Sequence, residues 1–250
     1  MNRWYRSVTV DLPEGQFGQL PRHPAYEYAW WDGKGHLVPF PRLYHCRLTI
    51  DSIQDESLLA SRCADQGVRL RPVEDGDWLS LVDLFDAAFC ETVPFCTLEA
   101  AERKDAAFES LQQTRRGDDG PPVVEASRVA LSGNDLLGAI LVTLIPPGDL
   151  ERFDEPQWLA SAPDDAVARR WGRPHITWVF VAPPVSRSGI GSLLLQGAVA
   201  ALGGMGYREL VSTVCSGNIP SLLWHWRNRF ELLSWPGSPR SAQPDDLPRN

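Results

Sequence analysis

The chain has 250 residues and a mass of 27.9 kDa, enough for one large domain or for an ordinary domain with a long extension. Apolar residues make up 43% and charged residues 22%, which is typical of globular proteins and excludes wholesale disorder, collagen-like repeats and coiled coils. The net charge of −8 argues against a general nucleic-acid binder, which needs a basic face for phosphates.

The apolar runs are too short or too interrupted by glycine to cross a bilayer, and the first residues lack the apolar region of a signal peptide. We therefore expect a soluble, cytoplasmic protein with no membrane partner. Its five cysteines are scattered without a C-x2-C pair, which predicts reduced thiols and no metal site. Between Asp118 and Asp165 there are ten acids and two bases, so this stretch carries the whole net charge.

The first 66 residues are dense in proline and aromatic residues and show no long helical period. They contain signals for a hairpin turning at Asp32-Gly33, a strand and a short helix: residues 30–38, 43–50 and 54–65. We interpret residues 1–66 as an irregular or β-rich extension. We expect it to pack on the main domain, because its tryptophans are too apolar to be left in water.

From Gly67 onward the hydrophobic periodicity is regular. The predicted strands are residues 68–71, 123–131, 136–145, 175–181, 209–214 and 230–235. The predicted helices are residues 78–89, 98–116, 190–202 and 220–229, the first with Asp77 as its N-cap. An acidic insertion, residues 146–174, is predicted to be partly helical. This order predicts an α/β (α+β) main domain over residues 67–236, in which helices cover a mixed sheet, and residues 237–250 form a disordered tail.

The most informative stretch, residues 177–195, consists of a buried strand, a loop that contains Gly189 and Gly191, and an apolar helix. The glycines allow a tight turn that leaves N–H groups at the start of the helix available for an anion. No Gly-Lys-Ser/Thr follows, which excludes a Walker A loop, and the three-glycine spacing of the dinucleotide fingerprint is absent. The stretch therefore predicts a phosphate cradle or, alternatively, an ordinary strand-to-helix turn.

The strand Val179–Val181, Pro183 and the Gly189-Ile190-Gly191 loop resemble the acyl-CoA-binding motif of the GNAT N-acetyltransferase superfamily. Upstream, residues 68–77 and the amphipathic helix after them look like the family's first strand and helix. Downstream, Asn218-Ile-Pro-Ser with His225 and Phe230 is similar to the family's N-x-x-A-x-x-x-Y-x-x-x-G-F element. The resemblance spans roughly residues 67–235 and implies a mixed, mostly antiparallel sheet flanked by helices.

Three positions depart from the family pattern. Ser186 stands where glutamine or arginine is usual at the start of the phosphate loop, with Arg187 beside it. His225 stands where the family commonly has a tyrosine acid, and Arg229 where a glycine precedes the last aromatic residue. These departures leave cofactor binding intact because backbone amides supply most of such a cradle, but they change the group available as an acid.

The resemblance implies a transferase that moves an acetyl group from acetyl-CoA, as cosubstrate, to a primary amine of a small molecule or a protein. The alternative is a non-catalytic acyl-CoA-binding or protein-interaction module on the same fold. The resemblance also implies the residues that contact the cofactor: Phe180, Val181, Ala182, Arg187, Ser188, Gly189, Ile190, Gly191, Ser192 and Asn218. For Asn218 the sequence favours a cap of the last helix over a chemical role, and the cap is compatible with cofactor contact.

Three residues are candidates for acid–base chemistry. His225 is the candidate acid that protonates the departing thiolate, or else a histidine packed between aromatic residues. His175, at the start of the strand that leads to the cofactor, is a candidate base, or else a solvated side chain at a strand end. Glu125, predicted to lie on the strand before the hairpin, is a rival base.

Overall fold

The computed structural model describes residues 8–22, 26–39, 43–50, 56–92, 95–150, 152, 155–215 and 218–233. At the N-terminus, strands β1 (Val8–Val10), β2 (Tyr26–Trp31) and β3 (Lys34–Pro39) form a small antiparallel sheet in the order β1-β3-β2, with the short helix α1 (Glu14–Phe17) after β1. Asp32 and Gly33 turn the hairpin with φ of 52° and 69°, which confirms the predicted hairpin and its turn.

The second half of the N-terminal segment belongs to the main sheet. Strand β4 (Leu43–Thr49) pairs along its whole length with a strand near the C-terminus, and helix α2 (Glu56–Asp65) follows it. Gly67, with φ of +63°, comes two residues after the end of α2, in keeping with the predicted helix end. Whether the small sheet β1–β3 also packs on the main domain, as its aromatic content predicts, stays a prediction.

The remaining strands and helices follow one another in the predicted order. The strands are β5 (Arg69–Pro72), β6 (Arg128–Ser132), β7 (Asp135–Ile145), β8 (Arg173–Val181), β9 (Glu209–Cys215) and β10 (Glu231–Leu232). The helices are α3 (Trp78–Phe89), α4 (Ala100–Arg116), α5 (Ala166–Arg169), α6 (Ile190–Gly204) and α7 (Ile219–Arg227). The tail that was predicted to be disordered lies outside the described residues.

Seven strands form the main sheet in the order β10-β4-β9-β8-β7-β6-β5. Every neighbouring pair is antiparallel except β8 and β9, which are parallel. The predicted fold class, a mixed and mostly antiparallel sheet flanked by helices, is confirmed. Among the described residues, no helix combines the length and the apolar composition needed to cross a bilayer.

The sheet has a hydrophobic core on each face. Helix α6 packs on one face, where Leu193 and Leu194 lie in a cluster with Ile176 of β8. Helix α3 packs against the same strands on the other face, where Phe85 lies in a cluster with Phe180. Ile176 and Phe180 are four residues apart yet face opposite sides, because the pairing register of β8 with β7 shifts between them, so the strand at the centre of the sheet is covered on both sides.

Two local predictions were wrong. Asp77 does not cap α3; its carboxylate accepts hydrogen bonds from Arg71, at 2.6 and 2.7 Å, and from the Glu74 N–H at 2.8 Å. A partly buried guanidinium partner outcompetes the helix amides for this carboxylate. Glu125 is not on a strand, because residues 124–126 form a turn and β6 begins only at Arg128.

Candidate functional site

The loop between β8 and α6 has the backbone conformation of a tight turn. A short 3-10 turn over Pro183–Val185 follows β8, and Gly189 then precedes the first residue of α6 as its N-cap with φ of +98°. Arg187 also has a left-handed φ, 65°, although it carries a side chain. The chain therefore reverses sharply enough to direct its own amides outward.

Four amides of this loop are available to a ligand. The N–H groups of Arg187, Gly189, Ile190 and Gly191 donate to no acceptor among the described residues, whereas those of Ser192 and Leu193 donate to the Gly189 carbonyl. Successive unpaired amides at the start of a 15-residue helix suit an anion, because the helix dipole adds to their partial positive charge. We refer to residues 187–191 as the amide cradle.

The indole of Trp224, from α7, packs behind the amide cradle. A Cβ atom at Gly191 would lie 2.9 Å from Trp224 Nε1, closer than real Cβ atoms approach a rigid ring, so glycine is required there. Trp224 Nε1 is buried, and no described residue accepts a hydrogen bond from it. Among the predicted residues, Ser188 donates its hydroxyl to the Val185 carbonyl at 2.6 Å.

Strands β8 and β9 separate just below the amide cradle. They pair only at His175 with Val211 and at Ile176 with Ser212, although β8 continues to residue 181 and β9 to residue 215. On the other side, β8 stays paired with β7 up to Val181. The backbone edge of β8 that faces β9 is therefore open beyond residue 176.

The open edge belongs to alternate residues of β8. The Ala182 N–H donates to the Leu137 carbonyl at 2.8 Å, on the β7 side, and the Phe180 carbonyl also faces β7 next to Gly138. Backbone groups alternate in direction along a strand, so the N–H groups of Val179 and Val181 face the gap. Of the predicted cofactor contacts Phe180, Val181 and Ala182, Val181 is the one whose backbone N–H faces the gap.

His225 lies on α7 and contacts Ser212, the last residue of β9 that pairs with β8. Its Nδ1 is 2.7 Å from the Ser221 carbonyl, which can only accept, so Nδ1 carries the proton. Its Nε2 is 2.8 Å from Ser212 Oγ. Burial lowers the pKa of His225, which keeps the imidazole neutral at pH 7. Nε2 therefore accepts a hydrogen bond from the Ser212 hydroxyl.

His175 lies on the opposite face of the sheet and forms a cluster that sequence reasoning missed. Its Nε2 is 3.2 Å from Thr213 Oγ1, and the same oxygen is 3.3 Å from His45 Nδ1. Burial and the neighbouring His45 lower the pKa of His175 to about 4. Residue 45 is 168 positions away from Thr213, so no local pattern indicated the contact.

Glu125 is not brought to these residues. It is exposed and lines a cavity with Asp164, Asp165 and Met205, the residue that follows α6. The amide cradle precedes the opposite end of the same helix, which is about 22 Å long at 1.5 Å per residue. This cavity also places part of the acidic insertion at the end of α6 away from the amide cradle.

The other candidate residues have structural roles. Asn218 caps α7, because its Oδ1 accepts from the Ser221 N–H at 3.1 Å. Phe89 and Phe95 pack with Phe85, Trp178 and Phe180 in one aromatic cluster on the α3 face. Among the described residues, no three histidine, cysteine or acidic side chains converge as metal ligands would.

Comparison with a family model matches the part of the chain that contains the amide cradle and the open edge of β8. The model of the acetyltransferase (GNAT) family matches residues 78–227, which is 150 of the 250 residues. Comparison with curated protein sequences gives no match. A GNAT family acetyltransferase from Brucella melitensis, solved with acetyl-CoA, is 20% identical, with 69% of this chain and 92% of that chain covered and a TM-score of 0.44. PaiA N-acetyltransferase from Thermoplasma acidophilum, solved with coenzyme A, is 14% identical, with 68% and 94% covered and a TM-score of 0.46.

Proposed function

Since this chain belongs to the acetyltransferase (GNAT) family, we propose that it transfers an acetyl group from acetyl-CoA to a primary amine. The observation that carries the proposal is the open edge of β8 directly below the amide cradle. A cosubstrate that has a pyrophosphate at one end and an amide-containing arm needs both features, in that order. The cradle amides would hold the phosphates, and the open edge would pair with the arm as an added strand does.

The backbone of β8 would also stabilise the transition state of the transfer. The amine nitrogen attacks the thioester carbonyl carbon, a C–N bond forms, and the C–S bond breaks with its electron pair leaving on sulfur. Negative charge develops on the carbonyl oxygen, where an N–H of Val179 or Val181 would donate. No particular side chain is needed for this role, so the apolar sequence of β8 is compatible with it.

His175 is the base that this structure favours. It lies at the point where β8 and β9 separate, and at pH 7 its pKa of about 4 leaves it neutral and able to accept a proton. Taking a proton from a free ammonium with a pKa near 10 would cost about 8 kcal/mol, at about 1.4 kcal/mol per unit. His175 therefore acts on the far more acidic N–H of the adduct, after a neutral amine has attacked.

His225 keeps its proposed place on the sulfur side, opposite His175 across the sheet. In the resting tautomer Nε2 carries no proton, so the imidazole must first gain one before it can protonate a thiolate. Water or the hydroxyl of Ser212 could protonate the thiolate instead. Acid catalysis by His225 thus stays a prediction, and its present contacts join α7 to β9.

Release of CoA thiol from acetyl-CoA over a panel of primary amines tests the proposal. We expect amine-dependent release, with mass spectrometry showing one acetyl group added to the amine. Calorimetric titration with acetyl-CoA is run in parallel. Binding without release for any amine would support the non-catalytic acyl-CoA-binding module instead, and absence of binding would contradict both functions.

A further inference from the structure

Two histidines share one threonine hydroxyl where β8 and β9 separate. The Thr213 Oγ1 atom is 3.2 Å from His175 Nε2 and 3.3 Å from His45 Nδ1. We propose, on the basis of the acetyl transfer proposed above, that these three residues form a relay that carries the acceptor's proton away from the reaction. His175 contacts the substrate, whereas Thr213 and His45 are positioning residues that act through it.

The strand register places the three side chains on one face. His45 and Thr213 are directly opposite each other in the antiparallel pair β4–β9, and His175 is opposite Val211, two residues before Thr213. Alternation along β9 directs Thr213 away from Ser212, which contacts His225 on the other face. The relay and His225 therefore lie on opposite faces of the same gap.

The relay depends on a strand from the N-terminal segment. β4 is inserted between β9 and β10, and it brings His45 into the row of side chains that ends at His175. All three side chains are partly buried, so their hydrogen bonds are protected from bulk water while a substrate can still reach them. Residues 43–49 would thus be part of the catalytic unit and not only of an extension.

Proton counting restricts the arrangement. A threonine hydroxyl has one hydrogen, so it donates to one imidazole and accepts from the other. If it donates to His45 Nδ1, then His175 donates from Nε2 and keeps a bare Nδ1 as the acceptor for substrate. The opposite orientation would leave His175 Nδ1 protonated and unable to act as a base. The proposal commits to the first arrangement.

The transfer step balances with no added reagent. The amine adduct gives one proton to His175 Nδ1, as its nitrogen retains the bonding electron pair. The Nε2 proton of His175 passes to Thr213 Oγ1, and the hydroxyl proton of Thr213 passes to His45 Nδ1. His175 ends neutral with its proton on Nδ1, and the positive charge ends on His45. The starting arrangement returns when His175 Nδ1 releases its proton to water and the two transfers through Thr213 reverse.

The environment of the relay favours neutral imidazoles at pH 7. Burial lowers the pKa of both histidines, and burial together with repulsion from His45 lowers that of His175 to about 4. The charged groups on neighbouring positions of these strands are paired with each other, Arg47 with Glu231 and Arg173 with Glu209. Among the described residues, two further titratable groups are close by in the fold: Asp119, whose backbone carbonyl accepts from Thr143, the residue opposite His175, and Cys215, two residues after Thr213.

Replacement of the bridging hydroxyl tests the relay in the full chain. Thr213→Val keeps the shape but removes the hydroxyl, and Thr213→Ser is the matched control that keeps it. We expect Thr213→Val to lower kcat about 10²-fold, the lower end of what acid–base groups contribute, with the Kd for acetyl-CoA unchanged. Thr213→Ser should stay within a few-fold of the unsubstituted protein. Equal kcat for Thr213→Val would overturn the relay.

Nitrogen-15 NMR of the imidazoles decides the question without turnover. We expect His175 protonated at Nε2 and bare at Nδ1 at pH 7, and titrations of His45 and His175 that are coupled in the unsubstituted protein and in Thr213→Ser but separate in Thr213→Val. A bare Nε2 on His175, or unchanged titrations in Thr213→Val, would overturn the relay. If the NMR result is as expected but no amine is acetylated, the relay geometry holds and the proposed acetyl transfer fails.

Discussion

Gly191 allows a sharp test of how the amide cradle is built, because its missing side chain faces a rigid neighbour. In Gly191→Ala the new Cβ would lie 2.9 Å from Trp224 Nε1 and 3.5 Å from Trp224 Cδ1. An ordinary contact starts near 3.4 Å, so the indole or the helix must move by about 0.5 Å. The substitution therefore tests packing between α6 and α7 directly.

The size of the effect follows from two opposing terms. Overpacking by one methyl group costs about 1–3 kcal/mol when the neighbour cannot rotate away. Alanine regains at most about 1 kcal/mol of helix propensity relative to glycine, and less in the first turn. We therefore expect Gly191→Ala to lower the free energy of unfolding by about 1–2 kcal/mol, and the displaced cradle to weaken acetyl-CoA binding.

Urea unfolding and calorimetric titration measure the two effects. Gly204→Ala is the matched control, because Gly204 lies in the same helix with no atom within 4 Å of its added Cβ. Combining Gly191→Ala with Trp224→Phe, which removes the clashing atom, should recover part of the stability lost in the single variant. Equal stability of Gly191→Ala and the unsubstituted protein would refute the packing argument.

Three further outcomes are expected. Arg187→Gly should raise the free energy of unfolding in urea by up to about 1 kcal/mol, because glycine adopts a left-handed φ without strain. The same substitution removes a charge, so it should weaken acetyl-CoA binding about 2- to 5-fold in calorimetry, and tighter binding would contradict the prediction. Gly138→Ala should lower the unfolding free energy by about 1–3 kcal/mol, since the new Cβ would lie 2.8 Å from the Phe180 carbonyl oxygen of the adjacent strand; an unchanged urea midpoint would count against it. The hydrogen-bonded ion pair with Arg71 lowers the pKa of Asp77 below its usual 3.8. The unsubstituted protein should therefore have a higher free energy of unfolding than Asp77→Asn above pH 4, and this difference should decline as the pH falls below 3.8. A difference that does not change between pH 2 and 6 would be inconsistent with the pair.

The sequence was sufficient for the elements of the main domain. Residues 136–145 and 190–202 have periodicity that requires a strand and a helix, and each is found with boundaries shifted by two residues or fewer. The two glycines of the loop indicated a turn with outward amides, which is what Gly189 and Gly191 provide. These features are local, so the chain near each residue determines them.

Long-range features of the site were not predictable in the same way. The strand at 43–50 was predicted, but nothing in its sequence showed that it pairs with β9 and brings His45 to Thr213. Strand pairing depends on which edge is open after the rest of the sheet has formed. Glu125 was predicted to lie on a strand because apolar residues flank it. Its neighbours Val123 and Ala126 are indeed buried, but at a turn that precedes β6.

Amide hydrogen exchange with and without acetyl-CoA tests the central claim most directly, because it locates the bound cosubstrate on the backbone. We predict protection of the amide cradle, residues 187–191, and of Val179 and Val181, with little change at residues 204–206 at the other end of α6. Protection at residues 204–206, with no change in the cradle and the open edge of β8, would contradict the account.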